Sequence, residues 1–411
     1  MRKLLLTTIL AMLTIAGLNA READDITVDG RLREYVYYEP ATSKNEVVIF
    51  LHGFGETYDD YDQNVIQNFA DKNQCTVIMP QALPEQDQDL LAVLDLAGSF
   101  EENIKRISTQ IKKSAWGANV YITIDDLCTY LDMTKDQLTA LIQIYYPQYM
   151  KYITAGKLQI NKDVNDRNFI NTLMILFRVN ANTKFHIVGF SLGGAMAYDL
   201  GFNTPENISR IATISGFVSK SGVKIPDSYN LPTLAINSLT DEVIPFAGGL
   251  FNPHIGMFFR AIAEKQGARA PKETILNKDQ SEDKQIQLFD WASAPHDRFY
   301  VLNQADHYLF DDMAALGYNV FDVVGDFLFD THTATNEATA DSKKLIVYPN
   351  PVENIANVNM EGKYSVINLA GVTVSQGYTY GTIDLSAVIT GRYILTVETE
   401  SSVSKAMIIK K

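Results

Sequence analysis

Short runs of apolar and β-forming residues recur along the first 330 positions, separated by stretches with helical spacing. The runs lie at 31–38, 46–51, 76–79, 185–188, 211–214, 233–236 and 298–302. Continuous apolar runs of this length are typical of strands buried on both faces of a parallel sheet. Between them, residues 168–177, 193–200 and 320–329 have helical periodicity. Strands that alternate with helices predict an α/β domain with a mostly parallel sheet.

The stretch at about 84–163 interrupts this alternation. It has helical periodicity at 126–131 and 138–146, and it is rich in tyrosine near its end. We therefore predict a helical insertion in the α/β domain. Two interpretations stay open: the insertion covers a substrate cleft, or it is a structural excursion whose aromatic side chains pack inward.

The pattern changes again after residue 330. From Thr331 to Lys343 the chain is polar, without an apolar period, which is typical of a linker. Residues 344–411 contain short β-rich runs separated by glycines and predict a small all-β sandwich. We thus expect a large domain over 21–332, a linker over 333–343 and a second domain over 344–411.

Residues 1–20 have the organisation of a signal peptide. Arg2 and Lys3 give a positive start, 4–18 is apolar and uncharged, and Ala20 offers a small residue for cleavage. A membrane anchor is the alternative, but the run is short for a bilayer span. We expect export, with no membrane span once the signal peptide is removed.

Composition and net charge reduce the number of partner classes that this protein is expected to bind. The chain has 411 residues, 46% hydrophobic and 20% charged, which is ordinary for a globular protein. The formal net charge of −14 disfavours nucleic acid and anionic membrane surfaces. No ligand cluster or phosphate-cradling loop is evident in the sequence, so we expect neither a metal nor an organic cofactor. Whether Cys75 and Cys128 form a disulfide in an oxidising compartment stays open.

The segment 189–193, Gly-Phe-Ser-Leu-Gly, matches the nucleophile elbow, in which a serine occupies a tight strand-to-helix turn. A predicted strand at 185–188 enters the turn, and small helix-compatible residues leave it. This context favours Ser191 as a nucleophile over an incidental serine in a glycine-rich turn.

A serine nucleophile needs a base and an acid that orients the base; in α/β-hydrolases the chain order is serine, acid, histidine. Asp241 follows the strand at 233–236 and is the predicted acid, with Glu242 as its competitor. His307 follows the last predicted strand, whereas His296 precedes it and lies at the opposite end of the sheet. We predict His307 as the base. The other downstream histidines are His254 and His332.

An oxyanion hole requires two backbone N–H groups aimed at the developing charge. The amide of Leu192, directly after the nucleophile, is one candidate. The glycine-rich loop after Leu51 is the source of the second, and we favour Phe54, with Gly53 or Gly55 as alternatives.

Four motifs stand together in the α/β part: LHGFG at 51–55, GFSLGG at 189–194, TDEVIPFAGG at 240–249 and ADH at 305–307. With them, residues 44–330 resemble the polyhydroxybutyrate-depolymerase and feruloyl-esterase branch of the α/β-hydrolases. The resemblance implies a serine esterase with Asp241 as the acid and His307 as the base. Two departures leave the substrate open: residues 308–310 lack a tryptophan often found there, and the insertion is longer than usual.

A second set of motifs lies at the carboxy terminus: YPNP at 348–351, INLAG at 367–371, IDLS at 383–386, TGRYIL at 390–395 and a terminal pair of lysines. In this order they make residues 344–411 resemble the sorting domain of the type IX secretion system. The resemblance implies a Gram-negative bacterium, the type IX machinery as a partner, a secreted or cell-surface location, and removal of the domain after export. A carbohydrate-binding or spacer β-module is the alternative.

These observations together predict a secreted esterase that cleaves carboxylic esters through an acyl-enzyme on Ser191. Its substrate would be a polyester, a feruloyl ester or an acetylated polysaccharide, possibly as a polymer. Two other functions stay open: a serine peptidase with the same triad, and a catalytically idle protein that binds surfaces.

Overall fold

The structure is a computed structural model. It describes residues 21–40, 42–87, 90, 114–221, 223–268, 270–291, 296–329, 345, 347–368, 373–399 and 403–411. The predicted signal peptide at 1–20, the linker at 333–343, His332 and the part of the insertion at 91–113 lie outside the described residues.

Two sheets organise the large domain. The strands before residue 303 are β1 (Arg21–Val28), β2 (Arg31–Tyr38), β3 (Glu46–Leu51), β4 (Cys75–Pro80), β5 (Tyr121–Thr123), β6 (Lys157–Gln159), β7 (Lys184–Phe190), β8 (Ile208–Ile214), β9 (Thr233–Ser238), β10 (Lys272–Leu276), β11 (Ile286–Trp291) and β12 (Asp297–Leu302). All except the small β5–β6 pair form one ten-stranded sheet in the order β1-β2-β4-β3-β7-β8-β9-β12-β11-β10.

The middle of the large sheet is parallel, as the sequence predicted. Strands β4, β3, β7, β8, β9 and β12 run in one direction, while β1, β2, β10 and β11 extend the two edges in antiparallel pairs. In such a sheet, side chains that follow the carboxyl ends of the parallel strands share one edge, and ligand sites of open α/β sheets lie there.

Helices cover both faces of this sheet. They are α1 (Gln63–Asn73), α2 (Ile124–Leu131), α3 (Lys135–Tyr145), α4 (Met150–Ala155), α5 (Asp166–Leu176), α6 (Leu192–Asn203), α7 (Ile255–Lys265), α8 (Phe310–Ala315) and α9 (Val320–Phe329). Helices α5, α6 and α7 pack on one apolar core, and α1, α8 and α9 pack on a second. Strand β3 supplies alternate side chains to both cores, which explains its unbroken apolar run.

The described part of the insertion contains α2, α3, α4 and the β5–β6 pair. Near its start, Pro84 bridges Ser114, and the Ala115 amide donates to the Leu83 carbonyl at 2.9 Å, so the chain at 114–115 lies beside the beginning of the insertion. Of the tyrosines at its end, Tyr152 is buried, while Tyr145 and Tyr146 are exposed. The aromatic side chains are thus divided between the interior and the surface.

The carboxy-terminal module is all-β, as predicted. Its strands are β13 (Val347–Tyr348), β14 (Ile355–Asn368), β15 (Thr373–Asp384), β16 (Gly391–Glu398) and β17 (Val403–Lys410). They form a separate five-stranded antiparallel sheet around an apolar cluster of its own.

Both cysteines are free thiols, so the structure contains no Cys75–Cys128 disulfide. Burial raises the pKa of the Cys75 thiol to about 12, which keeps it protonated and unreactive at neutral pH. Among the described residues, no helix is long and apolar enough to cross a bilayer.

Candidate active site

Ser191 occupies the turn between β7 and α6. Its backbone has φ 52° and ψ −116°, a strained conformation for a residue with a side chain. The flanking glycines permit this turn: a Cβ on Gly189 would lie 2.1 Å from the Gly193 carbonyl oxygen, and one on Gly193 would lie 2.1 Å from the Leu51 carbonyl oxygen. The glycines of the motif are therefore required by close backbone approach at this turn.

The structure brings Ser191, His307 and Asp241 into one hydrogen-bonded line. The His307 Nε2 atom lies 2.8 Å from the Ser191 Oγ atom, and His307 Nδ1 lies 2.8 Å from Asp241 Oδ2. All three side chains are buried. This is the arrangement in which a histidine takes the serine proton while a carboxylate orients the ring.

Backbone amides orient Asp241. Its Oδ1 atom accepts the Val243 and Ile244 amides at 2.9 and 2.8 Å, which leaves Oδ2 for His307. Because an ionised carboxylate only accepts, His307 Nδ1 is the donor and Nε2 is free to accept the Ser191 proton. Glu242, the competing acid in the sequence, is exposed, whereas Asp241 is buried.

The loops that carry the acid and the base are tied to each other. The Ser238 and Thr240 hydroxyls donate to the Ala305 carbonyl at 2.8 and 3.0 Å, and the Ala305 amide donates to Thr240 Oγ1 at 3.1 Å. The buried Ser215 hydroxyl donates to the His307 carbonyl at 2.7 Å. These contacts fix the His307 backbone from the ends of two neighbouring strands.

The remaining described histidines have other partners. His296 contacts Asp290 at 2.7 Å beside the start of β12, at the sheet end opposite Ser191. His254 caps α7, and His186 pairs with Glu46 at 2.8 Å. Burial lowers the pKa of His52 to about 4, and its Nε2 atom accepts the Ala82 amide, so this ring is neutral and structural.

Residues 52–56 follow β3 beside the elbow and form the loop in which the sequence predicts the second oxyanion donor; we call them the oxyanion loop. The Gly53 amide donates to Glu56 Oε2 at 2.6 Å, and the Gly55 amide donates to the Ser114 carbonyl at 2.8 Å. Within the part of the chain that the structure describes, the Phe54 amide has no acceptor. Of the three candidates in this loop, Phe54 is thus the amide left available to a substrate, alongside Leu192 at the start of α6.

Sequence reasoning missed two residues that hold this loop. The Trp116 indole donates to the His52 carbonyl at 2.8 Å and is fully buried. Glu56 accepts the Gly53 amide from within the loop. Trp116 is far from His52 in the chain, and no local pattern predicts their contact. Glu56 stands in the sequence as a charged residue next to three apolar or small ones, which does not indicate its role.

The sheet order, the elbow after a central parallel strand and the order serine, acid, histidine define the α/β-hydrolase architecture. Residues 346–411 match the family model of the secretion system C-terminal sorting domain. That match confirms the sorting domain inferred from the terminal motifs and indicates secretion or a cell-surface location.

Several solved structures are similar to the chain at low identity. An acetyl xylan esterase from Aspergillus awamori has 12% identity and a TM-score of 0.39, covering 72% of this chain and 99% of its own. An α/β-hydrolase fold protein from Chitinophaga pinensis has 11% identity and a TM-score of 0.39, covering 76% and 98%. A protein described as a predicted CIB-like hydrolase from Thermoplasma acidophilum has 13% identity and a TM-score of 0.38, covering 75% and 98%. No curated protein matches the sequence.

Proposed function

We propose that the protein is an exported serine esterase that hydrolyses carboxylic esters through an acyl-enzyme on Ser191. The observation that carries the proposal is the line of two 2.8 Å contacts joining Ser191, His307 and Asp241 at the carboxyl ends of the parallel strands. A strained elbow and two available amides beside it supply the other parts that acyl transfer requires.

The reaction has two halves. His307 Nε2 takes the Ser191 proton as Oγ attacks the ester carbonyl, and the Phe54 and Leu192 amides bind the oxyanion. The imidazolium then gives its proton to the leaving alcohol as the carbon–oxygen bond breaks. Water, activated by the same histidine, releases the acid and restores the serine. Asp241 stabilises the imidazolium in both halves.

A neutral ester suits this protein better than a polyanionic one, because the chain carries a net charge of −14. Residues 44–330 resemble the polyhydroxybutyrate-depolymerase and feruloyl-esterase branch of the α/β-hydrolases. This resemblance supports a polyester, a feruloyl ester or an acetylated polysaccharide as the substrate. The sorting domain supports delivery by the type IX machinery of a Gram-negative bacterium to the medium or the cell surface. An extracellular location is consistent with a polymeric substrate that cannot enter the cell.

The test combines active-site labelling with a substrate panel. Wild type should react with a fluorophosphonate probe and turn over at least one of an aryl ester, an acetylated sugar and a polyester. Ser191→Ala should lose both the label and several orders of magnitude in rate, while its circular dichroism spectrum is unchanged.

Other results would revise the proposal in defined ways. Labelling together with cleavage of peptides but not esters would establish the peptidase alternative. Absence of labelling and turnover in folded wild type would establish the idle, surface-binding alternative. Near wild-type turnover by Ser191→Ala would refute the nucleophile.

A further inference from the structure

Glu56, the last residue of the oxyanion loop, has a buried carboxylate that contacts Gly53 of the same loop. Its Oε2 atom accepts the Gly53 amide at 2.6 Å and the Tyr61 hydroxyl at 2.7 Å. The Tyr308 side chain makes a further hydrogen bond to the same carboxylate. Since a buried charge is stable only when its hydrogen-bonding capacity is used, three donors on one carboxylate indicate a built site.

Glu56 and the nucleophile elbow enclose Gly53 from opposite directions. A Cβ placed on Gly53 would lie 2.9 Å from Glu56 Oε2 and 3.0 Å from the Phe190 ring. Phe190 directly precedes Ser191, and its ring packs against His307 with centroids 5.3 Å apart. The peptide that precedes the Phe54 amide is thus held between the carboxylate and the elbow.

The third donor to the Glu56 carboxylate, Tyr308, belongs to the loop that carries the proposed general base, His307. Tyr308 is the neighbour of His307 in the chain, and its ring contacts Phe190 with centroids 4.9 Å apart. One carboxylate therefore contacts the loop of the oxyanion hole and the loop of the general base. The backbone of Glu56 is fixed as well, because its carbonyl accepts the Ser114 hydroxyl and the Gln81 side-chain amide.

We propose that Glu56, as a buried anion, is a positioning residue: it fixes the Gly53 peptide and Tyr308 together and so holds the Phe54 amide toward the oxyanion. The inference rests on the proposed esterase function and adds a residue outside the triad to it. Preorganised donors lower a barrier because they need no reorientation when charge develops, so loosening the loop slows the chemical step.

The charge of Glu56 matters because hydrogen-bond donors face its carboxylate. Among the described residues, the titratable groups around the carboxylate are Tyr61 and Tyr308, which donate to it, and Asp60, which repels its charge. Burial is the largest cause and raises the pKa of Glu56 above the ordinary value of a glutamate; the hydrogen bonds lower this pKa, and Asp60 raises it. On acidification Glu56 therefore takes up a proton earlier than a surface glutamate does, and the neutral carboxyl accepts fewer and weaker hydrogen bonds than the carboxylate.

The experiment compares Glu56→Gln with Glu46→Gln in the full chain. Glu46 is the first residue of β3, at the strand end opposite the oxyanion loop, and it pairs with His186 and Lys184. We expect Glu56→Gln to lower kcat on a soluble aryl ester about 10- to 100-fold with KM within about threefold, since the oxyanion forms only in the transition state. Glu46→Gln should leave both parameters unchanged.

A pH series separates positioning from a merely structural role. Because wild-type Glu56 becomes neutral on acidification, the ratio of wild-type kcat to Glu56→Gln kcat should fall toward one as the pH is lowered. A ratio that stays constant with pH, or a kcat equal to wild type, would overturn the proposal. Wild type that neither labels with a fluorophosphonate nor turns over ester would instead refute the esterase function itself.

Tyr308→Phe keeps the inference testable if Glu56→Gln does not fold. Removal of the hydroxyl deletes one donor and leaves the ring against Phe190. We expect a smaller fall in kcat for Tyr308→Phe alone. Where Glu56→Gln folds, the double variant should be no slower than Glu56→Gln alone, because both changes break one network. Unchanged kcat in Tyr308→Phe, or fully additive losses in the double variant, would contradict the network.

Discussion

His307 Nε2 lies 2.8 Å from Ser191 Oγ although the two residues are 116 positions apart in the chain. The contact forms because Ser191 follows β7 and His307 follows β12, two parallel strands that end at the same edge of the sheet. The separation in sequence is therefore bridged by topology, and the role of each histidine is decided by the strand end it occupies.

His307→Ala should be nearly inactive, with kcat lower by at least about 10⁴-fold, because no other group among the described residues contacts the Ser191 hydroxyl. His296→Ala is the matched control: it removes a histidine with a carboxylate partner at the opposite end of β12. Its rate should stay within about tenfold of wild type. Steady-state kinetics on one ester compares kcat of the two variants with that of wild type. An inactive His296→Ala would show that the base has been misassigned.

Asp241→Asn should lower kcat by about 10⁴-fold with the fold retained, because an amide would donate to His307 and stabilise the wrong tautomer. The Val243 and Ile244 amides keep the side chain in place through Oδ1. Glu242→Gln alters the exposed neighbour and should leave kcat unchanged. If Glu242→Gln were the damaging substitution, Asp241 would not be the acid.

Asp166→Asn should destabilise the large domain strongly. Asp166 and Arg33 form a salt bridge of 2.5 Å with side chains 0% and 2% exposed, and Asp166 also accepts the Gly117 amide at 2.6 Å. Breaking a buried pair leaves an uncompensated charge, at a cost of about 3–5 kcal/mol in the free energy of unfolding. Urea denaturation of wild type and Asp166→Asn measures this loss in the free energy of unfolding.

The surface pair Lys72–Asp322, with both side chains 57% exposed, serves as the comparison for that experiment. Asp322→Asn should change the free energy of unfolding by less than about 1 kcal/mol, since exposed ion pairs contribute little. Equal effects of the two substitutions would mean that the Arg33–Asp166 pair is not isolated from water.

A chain shortened to residues 21–332 should keep its esterase activity and fail to reach the cell exterior when produced with its signal peptide. All residues of the proposed site precede residue 333, and the carboxy-terminal module has an apolar cluster of its own. The measurements are kcat of the purified protein and its distribution between periplasm and medium. Export without the module would refute its sorting role, and loss of activity would show that it supports the catalytic domain.

Much of the fold could be predicted because the information is local. The apolar runs at 46–51 and 233–236 form β3 and β9 with nearly the same bounds, since a strand buried on both faces must be apolar throughout. The edge strands β1 and β10 were not predicted. They are largely exposed and rich in charge, so no burial pattern marks them.

Contacts between segments that are distant in the chain were harder to predict from the sequence. The elbow residues could be recognised because one tight turn demands them, whereas the contact of Glu56 with Tyr308 joins loops that only the finished sheet brings together. In the carboxy-terminal module, the sequence predicts that glycines separate the strands, but Gly362 does not. It lies inside β14, where a Cβ would approach the Glu398 carbonyl oxygen to 2.2 Å.

The contact of Pro84 with Ser114 has a consequence for the length of the chain between them. Closing a loop whose ends are already joined costs little more entropy as the loop lengthens. The Ser114 carbonyl also accepts the Gly55 amide, so the contact that closes this loop lies beside the oxyanion loop. We therefore expect residues inserted between Pro84 and Ser114 to leave the oxyanion loop in place.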